Sequence, residues 1–199
     1  MPGTVSRRGP DGLLRPEGRL PFDVAAFLAR PLVARLATRP LSVRPVWYLW
    51  EDETFWVITG SWSSLSRQLA ADPAFTLVVD ECEAADGRVR QVIARGTGAV
   101  TGIDAPRARR KLSRYLGPDE SRWDPRFRLD GPAAGENRWA RLVPDRLWTA
   151  DLSFRPSAAS GPYEDGAVRT EAVPADWASA DAASFEGGPD PRTLHDDQT

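Results

Sequence analysis

Side chains able to do acid–base, nucleophilic or metal chemistry are scarce in this chain, and their positions exclude whole reaction classes. The only histidine, His195, stands near the C-terminus, and Cys82 is the only cysteine. A Cys/His metal cluster is therefore excluded, as is a Ser-His or Cys-His pair within the body of the chain. One cysteine also rules out an internal disulfide and fits a reducing cytoplasm. No residue is nominated as a catalytic acid or base, so hard chemistry would fall to a bound cofactor. The stretch best suited to hold one is 44–73. It opens with Arg44, Pro45, Val46 and Trp47 and continues through a polar turn into Thr59, Gly60, Ser61, Trp62, Ser63, Ser64 and Arg67. An aromatic hairpin thus leads through a Gly-Ser corner into a helix start. Free N–H groups at a helix start suit an anion, serines add hydroxyl donors, and indoles offer flat walls for a planar ring.

Hydrophobic periodicity supplies the elements around this stretch. A short amphipathic helix is predicted over 22–30, stopped by Pro31. Strands are predicted over 32–38, 43–50, 54–59, 75–80 and 88–101, with a turn at 82–87. A helix over 64–71 ends at Asp72-Pro73, and a second over 105–116 is capped by Asp104 and ended by Gly117-Pro118. After a mixed segment at 121–137, with a loop at 131–135, two last strands are predicted over 138–143 and 147–153 around the turn Pro144-Asp145. About seven strands, two or three helices and no βαβ alternation argue for an antiparallel barrel or sandwich.

Charge divides the chain. Residues 157–199 carry nine acids and two arginines, a formal −7, which leaves 24 bases and 19 acids in residues 1–156. The near-neutral whole thus hides a mildly basic body and a strongly acidic tail. An excess of five is too small to argue for nucleic acid but suits an anionic small ligand. Lys111 is the one lysine beside 25 arginines, a bias that points to a GC-rich coding sequence. Three parts are expected: a flexible arm over 1–19, a folded domain over 20–154, and a disordered acidic tail over 155–199. Neither a signal peptide nor a membrane span is apparent in the sequence.

The ordered series "LAT" at 36–38, "PVWYLW" at 45–50, "FWVITG" at 55–60, the Ser-rich corner, the helix ending "ADP", "FTLVVD" at 75–80, "ARGTGAV" at 94–100 and "ARLVPDRLWTADLSF" at 140–154 resembles the pyridoxamine 5′-phosphate oxidase-like split β-barrels, the flavin/deazaflavin oxidoreductases. The resemblance implies a mainly β (α+β) fold, a six-stranded antiparallel split β-barrel with short flanking helices. It also implies a homodimer with a groove for FMN or the deazaflavin coenzyme F420, with a slight lean to F420 from the GC-rich composition. On that resemblance, Arg44, Pro45, Val46 and Trp47 run along the ring, and Thr59, Gly60, Ser61, Ser63 and Ser64 receive the phosphate. Two features depart from the pattern. Leu65 and Ser63 stand where many members carry bases, with only Arg67 keeping its place, and the first hairpin, 38–43, is short.

Simpler readings stand beside these. Trp47, Trp50 and Trp56 are suited to core or interface packing, Ser63 and Ser64 to ordinary helix capping, and Arg67 to a solvated helix face or dimer contact. The basic face of the 105–116 helix, with Arg107, Arg109, Arg110, Lys111 and Arg114, is expected to face solvent, the alternative being to bind the acidic tail or an anionic cofactor extension. On function, the leading expectation is hydride transfer between the cofactor and a small organic substrate. A non-catalytic carrier on the same barrel is the alternative, and a cofactor-free dimer acting through its tail is a third.

Overall fold

Alternation between buried and exposed positions builds the sheet. In β7 (Ala74–Glu83) Phe75, Leu77 and Val79 turn inward, and they are met by Val92 and Ala94 of β8 (Arg88–Gly102) and by Ala140, Leu142 and Leu147 of β9 (Asn137–Asp151). Ala34 and Leu36 of β3 (Val33–Thr38) and Phe55 and Val57 of β6 (Thr54–Gly60) complete the interior. The computed structural model describes residues 3–130 and 134–155. Apart from Arg155, the expected acidic tail lies outside the described residues, as does His195 and part of the loop at 131–135.

Three helices flank the sheet: α1 (Val24–Leu28), α2 (Leu65–Ala71) and α3 (Ala105–Leu116). Every strand pairing is antiparallel. The main path runs β2 (Leu14–Pro16), β1 (Thr4–Arg8), β9, β8, β7, β3, β4 (Ser42–Trp47), while β5 (Leu49–Glu51) pairs with β6 and β6 with β9. This is a split β-barrel with flanking helices. β3, β4, β6, β7, β8 and β9 are the six barrel strands, with β5 and the β1–β2 hairpin added. β4 and β6 are not paired with each other, and the barrel is split there.

The split has a local cause. The predicted strand over 43–50 is two strands, because the chain changes partners at Tyr48: β4 pairs with β3, and β5 with β6. Tyr48 is buried, and its N–H would be stranded there. The Tyr115 hydroxyl accepts it at 3.1 Å and donates to the Leu32 carbonyl at 2.8 Å.

Two further expectations are corrected. The arm over 1–19 is not loose in its described part: β1 pairs with β2 and with the second half of β9, and Ser6 is buried. The Arg8 guanidinium ties it down, donating to the Pro144 carbonyl at 2.7 Å and the Glu53 carbonyl at 2.8 Å. A strand of five residues among Gly, Pro and Arg carries little pattern, yet it covers an edge of β9 that would otherwise be unpaired. The two last strands are one. β9 runs through Pro144 with a bulge at Asp145, where the register against β8 shifts between Arg95 and Gly96. Pro144 has no N–H to lose, and a Cβ on Gly96 would stand 2.0 Å from the Val143 carbonyl oxygen.

Candidate functional site

At the split, β4 and β6 diverge around a cleft of about 850 Å³, within the range of small-molecule sites. β4 gives it Arg44, Pro45, Val46 and Trp47, and β6 gives Val57 and Ile58. Trp62, Ser63 and Leu65 come from the corner, and Lys111 and Leu112 from α3. Arg126, Phe127, Leu129, Glu136 and Asn137 close the far wall.

Arg44 holds the corner end. Its guanidinium donates to Ser42 Oγ at 2.9 Å, to Ser64 Oγ at 3.2 Å and to the Gln68 amide oxygen. All three acceptors are neutral, and Arg44 Nε is buried without a partner among the described residues. A cation met only by neutral acceptors is prepared for an anion, and charge-assisted hydrogen bonds are about twice as strong as neutral ones. The corner serines divide their work. Ser63 Oγ accepts the Leu65 N–H at 3.2 Å and Ser64 accepts from Arg44, so both keep a hydroxyl hydrogen to donate. Ser61 spends its hydrogen on the Glu136 carboxylate. Gly60 lets that corner close: a Cβ there would lie 2.5 Å from Trp62 Nε1 and 2.7 Å from the Glu136 carbonyl oxygen.

The structure therefore gathers Arg44, Pro45, Val46, Trp47, Trp62 and Ser63 around one cleft, with Ser64 held at its rim by Arg44. Thr59 is fully buried, its Oγ1 lying 3.3 Å from Ser66 Oγ, and does not line the cleft. Nor does Arg67, which is exposed on α2. Leu65, at the position where a base was expected, is 2% exposed, packed in the main core and on the cleft wall, and brings no charge to the corner. Trp50 packs on Phe55 at 4.5 Å. Trp56 belongs to a second core cluster with Trp139 and lies under the Arg107 guanidinium at 4.0 Å. Trp47 is stacked on Tyr115, with centroids 4.8 Å apart and planes 8° apart, and also packs on Phe127 at 5.4 Å, so much of its ring is already covered.

Of the α3 arginines, Arg109 and Arg110 are exposed as expected, while Arg107 and Arg114 are half-buried. Arg107 and Arg110 pair with Glu51, Arg109 with Glu120, and Arg114 donates to the Leu28, Ala29 and Arg30 carbonyls. Lys111, expected on the same solvated basic face, is turned inward instead. It is 4% exposed, lines the cleft, and its Nζ lies 5.9 Å from the Trp47 ring and 5.8 Å from the Tyr115 ring. Burial, with Arg114 nearby, draws its amine down to about 7. The signal was available. Lys111 sits at i+3 from Ala108 and i−4 from Tyr115, on the apolar stripe of the helix.

The barrel thus carries, at its split, a cleft with a cation at one end and aromatic side chains on its walls. A family model described as pyridoxamine 5′-phosphate oxidase matches residues 20–149, and the chain belongs to that family. Among solved structures, the flavocytochrome Anf3 from Azotobacter vinelandii is 16% identical with a TM-score of 0.55, covering 88% of this chain and 85% of that one. An FAD-binding protein from Mesorhizobium loti is 16% identical with a TM-score of 0.49, covering 65% and 92%. An F420 reductase is 23% identical with a TM-score of 0.45, covering 64% and 98%. The likeness to the flavocytochrome, at 16% identity, is one of fold alone. No curated protein matches the chain in sequence. Among the described residues there is no group of acids, cysteines or histidines able to hold a metal, and no helix long and apolar enough to cross a membrane.

Proposed function

We propose that the protein is a flavin- or deazaflavin-dependent oxidoreductase, with FMN or F420 held in the cleft between β4 and β6. The observation that carries this reading is Arg44, whose guanidinium faces the cleft beside Ser63 and Ser64 with only neutral acceptors around it. Arg44 and the two serine hydroxyls would hold the cofactor phosphate, in place of the charge that Leu65 lacks. Pro45 and Val46 would lie along the ring, with the packed pair of Trp47 and Phe127, together with Leu129, as apolar walls that exclude water. The bound ring would supply the hydride, and the chain's own part is to bind, orient and keep the cleft dry.

Homodimerisation belongs to this reading. Val33, Leu41, Val43 and Trp62 are exposed hydrophobics on β3, the β3–β4 turn, β4 and the corner, and a second copy would cover them. Light scattering of the full chain at micromolar concentration is expected to give twice the monomer mass; a monomer would remove this part of the proposal.

Turnover tests the main claim. Chemically reduced FMN or F420, mixed with the protein and a panel of quinones, enones and nitroaromatics, is expected to be reoxidised faster than without protein. A protein that binds the cofactor tightly yet accelerates none of these would be a carrier, the reading favoured by the uncharged Leu65.

A further inference from the structure

Arg44 is not the only unpaired cation in the cleft. Lys111 stands on its α3 wall, and no described residue gives it a hydrogen bond or an ion pair. A lysine this buried normally reaches water with its amine or meets a carboxylate. Lys111 meets no carboxylate among the described residues, and the only water open to its amine is that of the cleft it lines. Its two aromatic neighbours, Trp47 and Tyr115, lie near the outer limit of cation–π range, about 6 Å. The charges around it do not compensate it. On its own helix is Arg114, on β4 Arg44, and on the far wall Arg126, which is itself paired with Asp124. The one acid lining the cleft, Glu136, receives the Ser61 hydroxyl. Tyr115, the remaining titratable neighbour, is pushed upward by burial and stays neutral. An amine in such a place costs stability unless something that enters the cleft meets it.

We propose that Lys111 is the charge-reading residue of the cleft: a planar heteroaromatic ligand anchored by its phosphate at Arg44 presents an acceptor or anionic edge to Lys111 Nζ, and filling the cleft takes up one proton there. The inference rests on the cofactor reading for what fills the cleft, and it adds a second anchor and a linkage to pH. In the empty cleft the amine is neutral above about pH 7. An acceptor at Nζ favours the charged form and raises the pH at which the proton is lost. Affinity is then full below about pH 7 and falls as pH rises, by up to about tenfold per pH unit, until the liganded amine also loses its proton. The second ionisation of a phosphate, near pH ~6, is complete before this window opens.

One lysine in the chain makes the test direct. Full-length protein grown with isotope-labelled lysine gives a single side-chain NMR signal, titrated with and without saturating FMN or F420. The dissociation constant is measured in parallel across the window above pH 7 for wild type, Lys111→Arg and Lys111→Met. The expected result is a lysine titration near neutrality that moves upward on saturation, with wild-type affinity falling as pH rises. Lys111→Arg should bind with little pH dependence, because it keeps its charge throughout. Lys111→Met should bind weakly and equally flatly. If Lys111→Met does not fold, the wild-type signal and the Arg variant decide. Binding that leaves the lysine signal unmoved, or a wild-type profile as flat as that of Lys111→Arg, overturns the role of Lys111 and leaves the cofactor reading standing. Failure of both FMN and F420 to bind at any pH overturns the two together.

Discussion

At the residue scale the cleft turns on two cations with different histories. Arg44 could be singled out in the sequence, because it begins the stretch whose order resembles the family. Lys111 was hidden by its neighbours. Four arginines crowd the same helix, and composition alone makes the whole face look solvated. Only their partners separate them: Arg107 and Arg110 are latched to Glu51, Arg114 caps the carbonyls that end α1, and the lysine turns inward. The cost of that inward turn is measurable without any ligand. The unfolded chain holds the Lys111 proton more tightly than the folded one, so the stability of the unliganded protein should rise with pH from about 7 towards the ordinary lysine range. Lys111→Met should flatten that rise and stabilise the unliganded protein at neutral pH by about 1–4 kcal/mol. Urea unfolding at several pH values checks both; a destabilised Met variant would show that the amine has a partner in the fold.

At the element scale, what positions the cleft is the change of partner at Tyr48. Periodicity could not reveal it, since 43–50 is apolar nearly throughout and reads as one strand. The break follows from the long-range pairing of β5 with β6 and from the Tyr115 hydroxyl 67 residues away. Tyr115→Phe would keep the stacking on Trp47 but strand the buried Tyr48 N–H and the Leu32 carbonyl. The expected loss is about 1–3 kcal/mol, read by thermal or denaturant unfolding, with a looser cleft and weaker cofactor binding. A neutral result would mean that another group satisfies Tyr48. The barrel's outer face carries a smaller prediction. Arg7, Arg146 and Arg95 lie directly opposite one another across β1, β9 and β8. Like charges so placed repel, so Arg146→Thr should stabilise the fold by about 0.2–1 kcal/mol, an effect that shrinks with added salt.

At the scale of the molecule, the mainly β split barrel was readable from strand alternation and the order of short motifs, and so were its helices. The N-terminal hairpin was not, because β1 and β2 are too short to carry a pattern and are held by the edge of β9 and by Arg8. The cleft was half readable. Its β4 side and corner lie in one continuous stretch of sequence, while Lys111, Phe127, Leu129 and Glu136 reach it only through the fold. Thr59 and Arg67 are both near the corner in sequence, yet one lies in the core and the other is exposed on α2.

The central claim is that Arg44, and not Arg67, anchors a flavin or deazaflavin phosphate at this cleft. Titrating full-length wild type, Arg44→Ala and Arg67→Ala with FMN and with F420, followed by the change in cofactor fluorescence, tests it most directly. Saturable binding of one cofactor by wild type is expected, weakened by about 10- to 100-fold in Arg44→Ala, as the loss of a charged hydrogen-bond partner predicts, and little changed in Arg67→Ala. Absence of binding by wild type, or equal affinity in wild type and Arg44→Ala, would contradict it.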